Sequence, residues 1–207
     1  MEINASTAGV VPGGLNNTDQ IKLLVCYLLK SYGKLSRETI VESAVKDGLA
    51  NYFEMHDAIN NLLSKGHIIE SETKDFIYLQ LTDSGNTIIS QLESSLPRTV
   101  REKATKAAMD ILTIIKRERE TNFEFKQENN SCYLYCTIND GNLELTTIKL
   151  LVPNKETADI IKNQLIKTDP SLVFHSVVAL LTGDIEAFTE YFNHAEYKSL
   201  LFKYKIS

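Results

Sequence analysis

The order of apolar periodicities between residues 17 and 85 constrains this chain more than any other feature. Three stripes at helical spacing come first, each closed by a glycine, and two short extended runs follow directly. Ile21, Leu24, Val25, Leu28 and Leu29 fall at i, i+3, i+4, i+7 and i+8. That spacing predicts an amphipathic helix over 18–32, stopped by Gly33. Ser36 caps a second helix, and Leu35 before it is placed to staple onto Ile40. Ile40, Val41, Ala44 and Val45 form its inward set, and Gly48 ends it. Asn51 caps a third helix, with Glu54 three residues later in a loose capping-box arrangement. Its buried stripe is Met55, Ala58, Ile59 and Leu62, and Gly66 closes it.

A strand over 67–70, a polar tip from Ser71 to Asp75 and a returning strand over 76–79 make a hairpin. Thr82-Asp83-Ser84-Gly85 then opens a fourth helix carrying Ile88, Ile89 and Leu92. Three helices followed by a hairpin are the element order of a winged helix-turn-helix. At these residues the chain resembles the winged-helix regulators of the MarR and PadR kind. More narrowly, "GLANYFEMHDAINNLLSKGHI", "ESSLPRTVREKA" and "ALLTGD" resemble an uncharacterised family of winged-helix proteins from Gram-positive bacteria. This likeness spans about residues 9–184. The broader resemblance implies a third helix, over about 52–65, in the major groove and a wing against the DNA backbone. The narrower one implies no established activity.

At about 100° per residue, the face opposite Ile59 presents Phe53, Glu54, Asp57, Asn60, Asn61 and Ser64. Asn60 or Asn61 suits an adenine edge, and Asp57 suits the cytosine amino group. Ser64 suits a phosphate. The same residues equally describe a solvated helix face, and capping alone accounts for Glu54. No arginine stands on the face. The nearby cations are Arg37 at the start of the second helix, Lys65 at the end of the third, and Lys74 in the wing, where Glu70, Glu72 and Asp75 oppose phosphate. Phe53, if exposed, suits a protein partner better than a groove. Packing against the preceding turn is the reading preferred for it here.

Charge sharpens the difficulty. Residues 1–96 hold 7 Lys/Arg against 12 Asp/Glu, and residues 97–207 hold 15 of each. The half with the DNA-reader pattern is the acidic half, which opposes strong non-specific binding.

The sequence predicts an arm over 1–16, a first domain over 17–96 and a second over 97–207, with the boundary at Leu96-Pro97. A long helix follows from Arg98 to about Glu118. Val100, Ala104, Ala107, Ala108, Ile111, Leu112 and Ile115 line one side of it. The resemblance implies that this stripe pairs two subunits, and the alternative is that it packs on its own domain. The segment 98–119 carries seven Lys/Arg against three acids, a pattern that fits phosphate contacts or a solvated face, the latter being commoner.

Beyond it, alternation at Phe123 and Phe125, then at Cys132, Leu134, Cys136 and Ile138, predicts strands. A turn at Asn139-Asp140-Gly141-Asn142 leads to a third strand over 145–152. Two further helices contain Ala158, Ile161 and Leu165, and Leu172, Val173, Val177, Leu180 and Leu181, the second stopped near Gly183. The tail over 185–207 is aromatic-rich, predicted helical, and requires a surface to dock on.

The fold class expected is therefore α+β: an N-terminal winged helix-turn-helix, a long connecting helix, and a small antiparallel three-stranded sheet covered by helices. The function expected is a homodimeric DNA-binding transcriptional regulator. The alternative is a winged-helix protein-interaction module, and a small-molecule sensor or enzyme on the second domain is a third and weaker possibility. No phosphate-binding glycine loop or dinucleotide fingerprint is present. The four histidines are scattered, and Cys132 and Cys136 on an extended strand lie about 13 Å apart, too far to share a zinc. The expectation is no enzyme, no metal and no cofactor. Double-stranded DNA, a second copy and a protein partner are the partners expected. With three sparse cysteines, no secretory signal pattern and no apolar run of membrane length, the expected setting is cytoplasmic, with no membrane partner.

Overall fold

In the computed structural model, residues 10, 14–15, 17–72, 76–184 and 186 are described. The arm over 1–16 lies almost wholly, and the tail from 187 wholly, outside them. The chain divides into two compact units, Met1–Thr113 and Ile114–Ser207. Among the described residues they hold seven α-helices and two separate three-stranded antiparallel sheets.

The first unit opens with α1 (Thr18–Tyr32), capped by Asn17, whose side chain accepts from the Asp19 amide, and ended at Gly33 with φ 78°. A two-residue strand, β1 (Lys34–Leu35), comes next, then α2 (Arg37–Val45), capped by Ser36. After it comes α3 (Tyr52–Ser64). Asn51 caps it, its side chain accepting from the Phe53 amide. β2 (Ile68–Glu72) and β3 (Ile77–Leu81) pair as a hairpin, and β1 joins the free side of β3 to give the order β1-β3-β2. Both hairpin strands run further toward their turn and closing ends than alternation alone indicated.

Why these elements meet is visible in their inward faces. Leu24, Leu28, Ile40, Met55, Ile59, Ile68 and Leu79 are all essentially inaccessible and belong to one cluster. Removing one such side chain down to alanine costs about 2–5 kcal/mol. α4 (Asp83–Leu92) starts where Thr82 accepts from the Gly85 amide, while its hydroxyl reaches the carbonyls of Gly66 and His67. The Gly85 position is crowded: a Cβ there would stand 2.1 Å from the His67 carbonyl oxygen. Only a residue without a side chain lets the start of α4 lie against the corner between α3 and β2.

A short 3-10 turn (Glu93–Ser95) leads into α5 (Arg98–Glu120). The boundary between units falls inside this helix, at 113/114, rather than at Pro97. The reason is burial: Val100, Ala104 and Ala108 are part of the first unit's core, with Leu112 packed against it. Tyr32 donates to the Thr105 carbonyl at 2.7 Å, and Arg101 pairs with Glu93 and lies 6.0 Å from the Tyr27 ring centre.

In the second unit, β4 (Thr121–Glu128), β5 (Ser131–Asp140) and β6 (Leu143–Val152) form a meander in the order β4-β5-β6. Both connections have two residues. Gly141, with φ 59°, occupies the second. The first is Asn129-Asn130, with φ 47° and 70°, the left-handed pair that tight hairpins demand. One face carries Phe123, Phe125 and Leu134 against Ala158 and Ile161 of α6 (Lys155–Thr168). The other carries Tyr133 and Tyr135, with Lys149 of β6 3.9 Å from the Tyr133 ring centre. Lys149 and the Tyr135 hydroxyl both donate to Glu128 of β4, each at 2.8 Å.

Arg117 fastens the end of α6 by donating to the Lys167 carbonyl at 2.7 Å and pairing with Asp169. Such a cation satisfies terminal carbonyls and opposes the negative helix end. Covering of the sheet by helices falls to α6. The last described helix, α7 (Ser171–Thr182), buries Ala179 alone. It ends at Gly183, where φ is 74°.

Candidate functional site

The outward side of α3 is open. Asp57, Asn60, Ser64 and Lys65 are exposed, and Phe53 is 74 % exposed. Phe53 therefore does not pack away against the preceding turn, the reading preferred from sequence. It meets Tyr52 edge-on at 5.6 Å between ring centres, and Tyr52 in turn lies 4.5 Å from His56. Tyr52 and His56 were not among the residues singled out from sequence. The signal was the adjacent aromatic pair just after a helix cap, because the first turn of a helix has no preceding turn to cover it.

Arg37, expected only as a nearby cation, is brought onto this face. Its guanidinium donates to the Asn60 Oδ1 at 2.9 Å, joining the start of α2 to the middle of α3. That bond takes one of the two acceptor sites of the Asn60 oxygen. Asn61 is half-buried, and its Oδ1 is inaccessible and without a hydrogen-bond partner. The Asn61 oxygen is thus covered, whereas the Asn60 oxygen keeps a second acceptor site beside the Arg37 bond. Ser64 donates back to the Asn61 carbonyl at 2.9 Å, which is local helix capping.

Glu54 also turns partly inward. Burial raises its carboxyl above the usual glutamate value, and the nearby Asp57 charge adds to the rise. The exposed charges of α3, β1 and β2 are Asp57, Glu70 and Glu72 against Lys34 and Lys65, with Arg37 half-buried beside them. Lys34 Nζ stands 3.3 Å from the Ser71 hydroxyl across the sheet. β1 gave no sequence pattern, so Lys34 was missed. Lys74 lies outside the described residues.

The α5 stripe is placed differently from the subunit-pairing role that the resemblance implied. Val100, Ala104, Ala107, Ala108 and Ile111 are buried within a single chain, and Leu112 and Ile115 are half-buried. The basic character of 98–119 is largely neutralised by partners. Arg98 pairs with Glu102, Arg101 with Glu93, Lys116 with Glu120 and Arg117 with Asp169. Among the described residues no cluster of three His, Cys, Asp or Glu is arranged to hold a metal ion. No single described helix is long and apolar enough to cross a membrane.

The chain belongs to a family described as a domain of unknown function (DUF4364), which matches residues 21–181. That match takes in every described element except the first residues of α1 and the last residue of α7. No curated protein and no solved structure matches the chain.

Proposed function

We propose that this member of a family of unknown function carries in its first unit a winged helix-turn-helix that reads duplex DNA as a transcriptional regulator. One observation carries the reading: α3 follows α2 in a helix–strand–helix–helix–strand–strand order, and its outward face is left open by the rest of the chain. In that arrangement α3 enters the major groove and the turn between β2 and β3 lies against the backbone. The Arg37–Asn60 pair offers N–H donors, which suit the guanine O6 and N7 acceptors or a phosphate. Asp57 suits the cytosine amino group of the same pair. Of the two asparagines, Asn60 suits adenine better than Asn61, whose carbonyl oxygen is covered.

With cations and acids nearly matched on this surface, phosphate attraction is weak and sequence-specific contacts must carry most of the affinity. Two copies on two half-sites would offset a weak single module. The buried Val100, Ala104, Ala107 and Ala108 do not supply the surface for that pairing.

The test is selection of duplexes from a random library at low salt, repeated with Arg37→Ala and Asn60→Ala. An enriched sequence, with preference relaxed at the same base pair by both substitutions, supports the reading. No enrichment above a scrambled pool overturns it.

A second reading, a protein-interaction module, is favoured by Tyr52 and Phe53, which are 51 % and 74 % exposed. Exposed aromatic pairs are typical anchors of protein interfaces. A protein partner lost on Phe53→Ala, in a chain that enriches no duplex, would establish this reading over the first.

A further inference from the structure

A single exposed apolar side chain on a folded protein needs no explanation. The surroundings of Phe53 are what give it one. Phe53, Asp57, Asn60 and Ser64 stand at i, i+4, i+7 and i+11 on α3, so they form one outward row. Phe53 is its first member and its only apolar one, 74 % exposed in the first turn of the helix. The start of that turn is firmly held. Leu49 and Ala50 are buried, and their amides both donate to the Ala44 carbonyl, at 2.8 and 3.3 Å. Asn51 is also buried, and its side chain accepts from the Phe53 amide at 2.9 Å. The Phe53 ring itself meets Tyr52 edge-on, a favourable aromatic geometry. A fixed backbone and a braced ring leave little to be ordered on contact.

The core of a protein interface asks for a contiguous apolar patch. This row instead sets one ring beside a carboxylate, an amide held by a guanidinium, and a hydroxyl. Such a composition suits a surface on which hydrogen-bonding groups surround one isolated apolar feature. The major groove of duplex DNA is such a surface. Guanine, cytosine and adenine present only donors and acceptors there, and thymine alone adds an apolar group, its C5 methyl. A phenyl ring against any of the other three edges strips water from polar groups and returns no hydrogen bond. Against the methyl it covers carbon with carbon.

Resting on the reading of the first unit as a duplex binder, we infer that Phe53 reads a thymine through its C5 methyl. In that docking the N-terminal residues of α3 contact base edges, and Phe53 is among them. Phe53 and Asn60 are separated by about 10 Å of helix, whereas successive base pairs are about 3.4 Å apart. The thymine therefore belongs to a different base pair from the one that Arg37 and Asn60 address.

Uracil differs from thymine by that methyl alone, so exchanging the two leaves phosphate charge and hydrogen bonding untouched. In the duplex enriched by the full chain, each thymine is replaced in turn by uracil and binding is followed by fluorescence anisotropy. Burial of one methyl is worth about fourfold in affinity. The expected result is one position per bound module weakened by about that factor. It should lie at a base pair other than the one relaxed by Arg37→Ala and Asn60→Ala. Phe53→Ala, at a position exposed enough to leave the fold intact, should bind the thymine and uracil duplexes equally. An enriched duplex indifferent to uracil overturns the inference and leaves DNA reading standing. So does uracil sensitivity that survives Phe53→Ala, which assigns the methyl to another side chain. Failure to enrich any duplex removes the reading beneath and this inference with it, and returns Phe53 to a protein partner.

Discussion

Replacing Gly85 by alanine sets two effects of opposite sign against each other. Gly85 lies in the first turn of α4, and in an open helix alanine is better than glycine by up to about 1 kcal/mol. Propensity alone therefore predicts a more stable protein. The structure predicts the reverse. The new methyl carbon would stand 2.1 Å from the His67 carbonyl oxygen and 2.9 Å from Leu81 Cδ2. A carbon and an oxygen need more than 3 Å, and the oxygen belongs to backbone that cannot rotate away. That carbonyl also accepts from the Thr82 amide at 3.1 Å. Relief requires moving the start of α4 by about 1 Å, at a cost of roughly 1–3 kcal/mol or more for overpacking plus the strained bond. The clash outweighs propensity, and the net loss expected is about 2 kcal/mol. Urea unfolding followed by far-ultraviolet circular dichroism should show the midpoint of Gly85→Ala lower by about 1 M, given ordinary slopes for a unit of this size. Asn86→Ala, at the exposed neighbouring position, should leave the midpoint almost unchanged. Equal or greater stability of Gly85→Ala would refute the close-approach argument.

Other expectations follow from the same geometry. If the first unit binds duplex through Arg37, Lys34 and Lys65, the log–log salt slope should be near ~−2.7 per module, or about 40-fold weaker binding from 50 to 200 mM salt. A titration with a much steeper slope would show that cations elsewhere dominate. Burial pushes the thiols of Cys26 and Cys136 up to about 11, so a thiol reagent at neutral pH should label half-buried Cys132 first. Prompt labelling of all three without denaturant contradicts the packing. Glu93 is held below the usual glutamate value, first by its hydrogen bond from Lys30. Its contribution is complete above the ordinary glutamate value and is lost as pH falls through the lower folded one. Because the group is partly exposed, Glu93→Gln should cost no more than about 1 kcal/mol at neutral pH, with the difference shrinking in acid. A difference that grows in acid would contradict that assignment.

The helices of the first unit were legible because each carries its own start, stripe and stop. α1 is bounded by Asn17 and Gly33 as local chemistry requires. β1 was not legible, since two residues have no periodicity and exist as a strand only through Lys34 and Leu35 pairing with Gln80 and Leu79. Similarly, Asn129-Asn130 reads as a polar stretch until the flanking strands impose the tight turn. The α5 stripe was visible, but its destination was not: periodicity says that Val100 and Ala104 are covered, never by which chain. At the candidate site, the outward position of Asp57 and Asn60 followed from helical phase. The hold of Arg37 on Asn60 joins residues 23 positions apart on different helices, and no local pattern encodes it.

The β4-β5-β6 meander has a practical consequence. Among the described residues nothing pairs with the outer sides of β4 and β6, so both are templates for strand addition by another molecule. β6 also displays Leu143, Leu150 and Leu151 to solvent. The charges that stand guard there are Glu144 and Lys149 on β6, and Glu124, Lys126 and Glu128 on β4. Lys149 is thus a gatekeeper against aggregation as well as the cross-sheet partner of Glu128. Neutralising it would reduce solubility in concentrated solution well before it reduced folding.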